Sequence, residues 1–243
     1  MKMKKTILMI MTVVLFAGAV HAIDLSASVD FASAYVFRGV TLNNGLVVQP
    51  GAEISGFLLP EECGSLAVGI WANYDIDDED GDGSDFSEID YYLSYSLPIE
   101  ALDVSVSYAE YDYPGGEPSE KEVALSLGKA LGDTDLYGSF TANYGVGGAI
   151  DKSWYLQVAL DYEKELSEKL TGSLGATVAY AWIDEGSDGF SDATASVGLG
   201  YALNDNWSLN GSVMYVAQLD DDVLSDAAYD VDVVASIGIS YGF

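Results

Sequence analysis

Apolar residues alternate with small or polar ones along most of this chain, in runs of about nine to fifteen residues broken by turn residues. That period of two belongs to a strand whose two faces meet different surroundings, and no long helical periodicity competes with it after the first 22 residues. From Leu170 to Trp182, one face carries Leu170, Leu174, Ala176, Val178, Tyr180 and Trp182. The other carries Thr171, Ser173, Gly175, Thr177 and Ala179. The runs from Trp207 to Leu219 and from Val231 to Phe243 read the same way.

About twelve such runs can be drawn: 25–40, 47–57, 66–74, 88–96, 102–112, 121–129, 134–144, 153–166, 170–183, 193–201, 207–219 and 231–243. The connections alternate between short turns, such as PIEA, ALG and SEK, and longer segments rich in Gly or acid. An even strand number with short turns at one end and long loops at the other is the layout of an outer-membrane barrel. The expected fold is therefore all-β, a transmembrane antiparallel up-and-down β-barrel of about twelve strands. A secreted β-sandwich alternates too, but its inner face packs a dry core. Here the polar face is Ser, Gly, Thr, Asn and Ala with scattered acids, which suits a wet lumen. The apolar face places Trp154, Tyr162, Trp182 and Trp207 towards strand ends, like an aromatic girdle. Closure is also required physically, because lipid leaves no partner for an unpaired sheet edge.

Residues 1–22 read as a cleaved signal peptide: MKMKK is basic, TILMIMTVVLFAGAV is apolar, and Val20-His21-Ala22 offers small residues before the cut. The barrel is then expected over 23–243. The chain holds nine Lys and Arg against 39 Asp and Glu, with one His. Removing the leader takes Lys2, Lys4, Lys5 and His21, so six basic residues face 39 acidic ones and the balance falls from −30 to −33. Nucleic acid is excluded as a partner by that balance, since phosphate contacts need Lys and Arg. Without His, the usual base of a serine or aspartate hydrolase is missing, and no enzymatic role is expected. Cys63 has no partner for an internal disulfide and lies beside Glu61 and Glu62, the opposite of the setting that activates a thiol.

Several short motifs stand in order over roughly residues 30–128. They are Tyr35-x-Phe37-Arg38-Gly39, Gln49-Pro50, Trp71-x-Asn73, Glu88-x-Asp90-Tyr91-Tyr92 and Tyr113-Pro114-Gly115-Gly116. This series resembles the TorF family of porin-like bacterial proteins, long catalogued without a function. The resemblance implies an outer-membrane barrel with a porin role, and it brings no catalytic residue or substrate with it. Over the second half the likeness is one of strands alone.

Alternation points Asp30, Arg38, Glu53, Asp90, Asp161, Glu163 and Asp232 towards the lumen, where they are the candidate pore-lining charges. Arg38, the chain's only arginine, is read on the first strand with Asp30, either shaping the field of a constriction or satisfied in a structural ion pair. Pro50 removes one ladder donor and predicts a bulge or a later strand start. The stretch 75–90, DIDDEDGDGSDFSEID, packs nine carboxylates into sixteen residues. Asp78, Asp80 and Asp82 with Gly83 and Ser84 match the first positions of a calcium loop, but the closing acid, Glu88, falls one residue early. Calcium is the candidate ion there, set against a hydrated acidic loop; no other cofactor is expected.

Two functions from different classes follow. One is a passive, cation-preferring channel for small hydrophilic solutes in the bacterial outer membrane. The other is a non-conducting structural or surface-interaction barrel whose acidic loops bind divalent cations. Expected partners are outer-membrane lipid and lipopolysaccharide, and the barrel-assembly machinery through the aromatic-ended terminal strand at Phe243.

Overall fold

The structure, a computed structural model, describes residues 23–76, 85–224 and 231–243. Its strands are β1 (Asp24–Ala32), β2 (Tyr35–Phe37), β3 (Val40–Asn43), β4 (Val47–Ser55), β5 (Ser65–Asp75), β6 (Phe86–Ser96) and β7 (Asp103–Asp112). They continue with β8 (Glu120–Ala130), β9 (Leu136–Gly147), β10 (Trp154–Ser167), β11 (Leu170–Trp182), β12 (Asp188–Ala202), β13 (Trp207–Gln218) and β14 (Val233–Gly242). Among the described residues, twelve of these close into one antiparallel barrel in which β1 pairs with both β4 and β14. The seam runs from Ser26↔Gly242 to Ala32↔Ser236. The polypeptide supplies its own last edge.

The expected alternation is realised on both faces. Val158 (53% exposed), Val197 (52%) and Ile237 (64%) lie on the outer wall, and a closed barrel with such a surface belongs in lipid. Aromatic pairs bracket this belt at the strand ends. Tyr144 lies 4.6 Å from Trp154 near the long-loop rim, and Trp207 lies 4.9 Å from Tyr241 near the short-turn rim. On the inner face, hydroxyls pair across strands: Thr177 with Thr194 at 2.7 Å, Ser208 with Ser240 at 2.7 Å and Ser212 with Ser236 at 2.8 Å. These small residues satisfy one another, and cavities remain beside the serines near the short turns.

One local expectation is corrected. β4 begins at Val47 without a bulge, and Pro50 turns its missing donor towards β5. There the pairing passes from Val48↔Tyr74 to Gly51↔Trp71 in unbroken register, so one stretch of ladder is lost and nothing shifts. A bulge does occur between β11 and β12, where the register steps from Val178↔Ala193 to Tyr180↔Phe190. Ala179 therefore faces both Ser191 and Asp192, and the extra residue lets both be buried.

The larger correction concerns the first run. Residues 25–40 are not one strand: the wall strand ends at Ala32, and 35–43 form a separate hairpin, β2–β3. Phe37 pairs with Val40 around a two-residue turn, Arg38 (φ 50°) and Gly39 (φ 79°). Positive φ at both positions is what a tight primed hairpin turn requires, and Gly supplies it at the second without strain. This hairpin leaves the sheet near the long-loop rim and folds into the barrel. Ala32, Ala34, Tyr35, Val47 and Val234 form a buried cluster there, with Trp71 and Met214 packed against it. The dry core of this barrel sits where the hairpin meets the wall.

Candidate functional site

The hairpin is held inside the lumen by wall strands from β5 round to β12. On one side, the Tyr35 hydroxyl donates to Glu88 on β6 at 2.8 Å, and its ring packs 5.3 Å from Trp71 on β5. Two strands further round the wall, Arg38 donates through both terminal guanidinium nitrogens to Glu122 on β8, each at 2.9 Å. Tyr111 on β7 donates to the same carboxylate at 2.7 Å. The guanidinium lies between the Phe37 ring (4.8 Å) and the Tyr155 ring on β10 (4.5 Å). Tyr155 in turn donates to Asp192 on β12, which also accepts from Ser191 at 2.8 Å. A planar fork on a carboxylate between two π faces is a geometry that lysine cannot reproduce. Burial alone would lower the pKa of Arg38, but the hydrogen bonds and charge of Glu122 outweigh it and the pKa is raised. The clamp therefore keeps its charge.

Gly39 at the turn leaves no room for a side chain: a Cβ there would lie 2.8 Å from Cβ of Asp192 and 2.9 Å from Leu224. The bulge that buries Asp192 and the glycine that faces it are two sides of one close contact. At the loop before β8, Tyr113 donates to Glu120 at 3.2 Å. Burial first, then the carboxylates of Glu120 and Glu88, push the Tyr113 hydroxyl well above the usual tyrosine range.

The residues singled out from the sequence fall in different places. Asp30 and Glu163 line a cavity of about 480 Å³ near the short-turn end, beside Ser173, Asn210 and Ser212. Glu53 lines a second cavity of about 670 Å³ with Trp71 and Tyr92. Asp161 lies across from Gly175 and Ser196 on the inner face. Asp90 projects inward beside Glu88, and its Oδ1 has no hydrogen-bond partner among the described residues. Asp232 precedes β14 as an exposed residue, and its backbone carbonyl accepts from Val216. Arg38 is not on the wall at all; it stands at the hairpin tip, bound to Glu122. Asp78, Asp80, Asp82 and Ser84 lie outside the described residues, whereas Glu88 is buried and engaged by Tyr35.

Sequence reasoning missed Glu122, Tyr111, Tyr155 and Asp192. A signal was present in Phe37-Arg38-Gly39-Val40, where a glycine follows the only arginine between two short apolar stretches, as in a hairpin turn. Alternation alone also turns Glu122 inward with Ala124 and Ser126, but nothing local pairs it with a residue 84 positions away.

The KdgM porin shares this fold, with a TM-score of 0.52 at 13% identity over 90% of this chain and 99% of that one. The COG4313 outer-membrane channel from Pseudomonas putida F1 aligns with a TM-score of 0.53 at 7% identity, over 93% and 97% of the two chains. Outer-membrane phospholipase A from Escherichia coli, an enzyme by name, reaches 0.54 at 15% identity over 89% of each. At these identities the likeness is one of fold, the outer-membrane β-barrel, with channels and an enzyme among those that share it. No curated protein sequence matches this chain. A family model does match, over residues 16–218, well past the 30–128 where the motifs cluster, and it carries a different description from the TorF name. By that match the chain belongs to a family described as bacterial protein of unknown function (Gcw_chp).

Proposed function

We propose that this protein is an outer-membrane channel for passive diffusion of small hydrophilic solutes, with a preference for cations. The observation that carries the reading is the lumen's charge arrangement. Asp30, Glu53, Asp161 and Glu163 face the lumen, while the only arginine is neutralised by Glu122. Carboxylates in a confined polar lumen raise the local cation concentration and repel anions. The hairpin narrows the outer half, so solutes must pass beside it. The acidic stretch 75–90, which joins β5 to β6 in the sequence, adds to the same field, with divalent cations or lipopolysaccharide-bound ions as its partners. The role is passive, and no catalytic step is assigned.

Reversal potentials in a KCl gradient across a planar bilayer test this reading. A shift towards the K⁺ equilibrium potential is expected; anion preference or no conductance overturns it. A second reading, a non-conducting barrel, is favoured by one observation, the dry cluster around Tyr35, Val47 and Val234 inside the lumen. Liposome swelling with small neutral sugars distinguishes the two, since only an open lumen gives swelling.

A further inference from the structure

Above the Arg38 clamp, between the hairpin and the upper ends of β7–β11, lies a cavity of about 980 Å³. That volume is at the upper end of the range for small-molecule sites, roughly 300–1,000 Å³. Its walls divide by chemistry. The hairpin supplies Phe37, Val40 and Leu42, and the facing wall supplies Ile150, Ile183 and the ring of Tyr155. Leu42, 49% exposed, presents apolar surface at a place where a barrel strand would face water. The polar side is acidic: Glu117 and Glu120 both line the cavity, and neither has a basic partner within 4 Å among the described residues. Arg38 also borders the cavity, but its fork is occupied by Glu122 and its faces by two rings. An anion entering here would meet carboxylates and, among the described residues that line the cavity, no free cation. A small hydrated metal ion would waste the apolar wall.

We infer that this mouth cavity binds an amphiphilic organic cation, a compact aromatic or aliphatic group bearing an ammonium. The apolar part lies against Leu42, Val40 and Ile150. The ammonium faces Glu120 and Glu117, with the Tyr113 ring beside it as a π surface. Glu120 is half-buried and already ordered by the Tyr113 hydroxyl, so its charge is presented in one orientation. Binding of this kind does not depend on conduction, and a barrel that passes no current shows it equally.

The test is isothermal titration of the full barrel in zwitterionic nanodiscs with benzyltrimethylammonium, benzyl alcohol, tetramethylammonium and benzenesulfonate, each against empty nanodiscs. Benzyltrimethylammonium is expected to bind saturably and more tightly than the other three. Glu120→Gln should weaken it by roughly fivefold, the size of one partly desolvated charge contact, while Glu163→Gln at the far end leaves it unchanged. Glu117→Gln, in an exposed turn, gives a smaller loss and carries the test should Glu120→Gln fail to insert. Benzyl alcohol binding as tightly, equal behaviour of the Glu120 and Glu163 variants, or no heat above empty nanodiscs overturns the inference.

Discussion

The two halves of the lumen solve the problem of an open interior differently. Near the short turns the wall carries small hydroxyl residues that bond across strands, and cavities remain between them. Near the long loops a hairpin fills the space, fixed by a buried tyrosine–glutamate hydrogen bond and an arginine clamp. The wall there carries Trp71, Tyr111 and Tyr155, and the occlusion comes from a segment of another part of the chain packed against them. Small lumen-facing residues therefore say little about whether a barrel is open.

Replacing residues 35–43 with a short Gly/Ser linker should have the largest effect. The β1–β4 ladder does not include these residues, so the barrel should still form, with heat-modifiable gel migration as the check, and single-channel conductance should rise several-fold. No change in conductance would mean that the hairpin does not limit the pore. Glu122→Ala leaves Arg38 without its carboxylate, a loss of about 3–5 kcal/mol for a buried pair. The hairpin is then expected to leave the lumen, becoming sensitive to protease in intact proteoliposomes and raising conductance towards that of the deletion. Gly39→Ala meets both a positive φ and the Asp192 contact, at a cost of about 1–2 kcal/mol from the backbone alone. Its denaturant midpoint should fall without the conductance gain if the hairpin stays docked. Tyr35→Phe strips a hydrogen bond from buried Glu88 and should cost about 1–3 kcal/mol. The smallest effect is electrical: Glu53→Gln and Glu163→Gln together should reduce cation preference in reversal potential and leave stability unchanged.

Much of this architecture was legible because period-two alternation is a local property. Leu170 to Trp182 announces its two faces in the sequence, and the structure places β11 on the same residues. The exception is instructive. Residues 33–40 continue an alternating pattern well enough to pass for wall strand, yet Tyr35 and Phe37 face a dry interface inside the barrel instead of lipid. Both environments reward an apolar side chain, so periodicity cannot tell them apart. Arg38 was readable as a lumen charge but not as the tip of a hairpin, since its partners lie on β8 and β10.

The wall strands, their two faces, the acidic balance and the lipid-facing belt are written in the residues, because each follows from chemistry repeated along short stretches. That one segment abandons the wall, and which carboxylate receives the single arginine, emerge only in the closed fold. Those are choices between distant partners, set by whether a buried charge and a buried ring find their complements across a closed barrel. A local pattern contains no term for that.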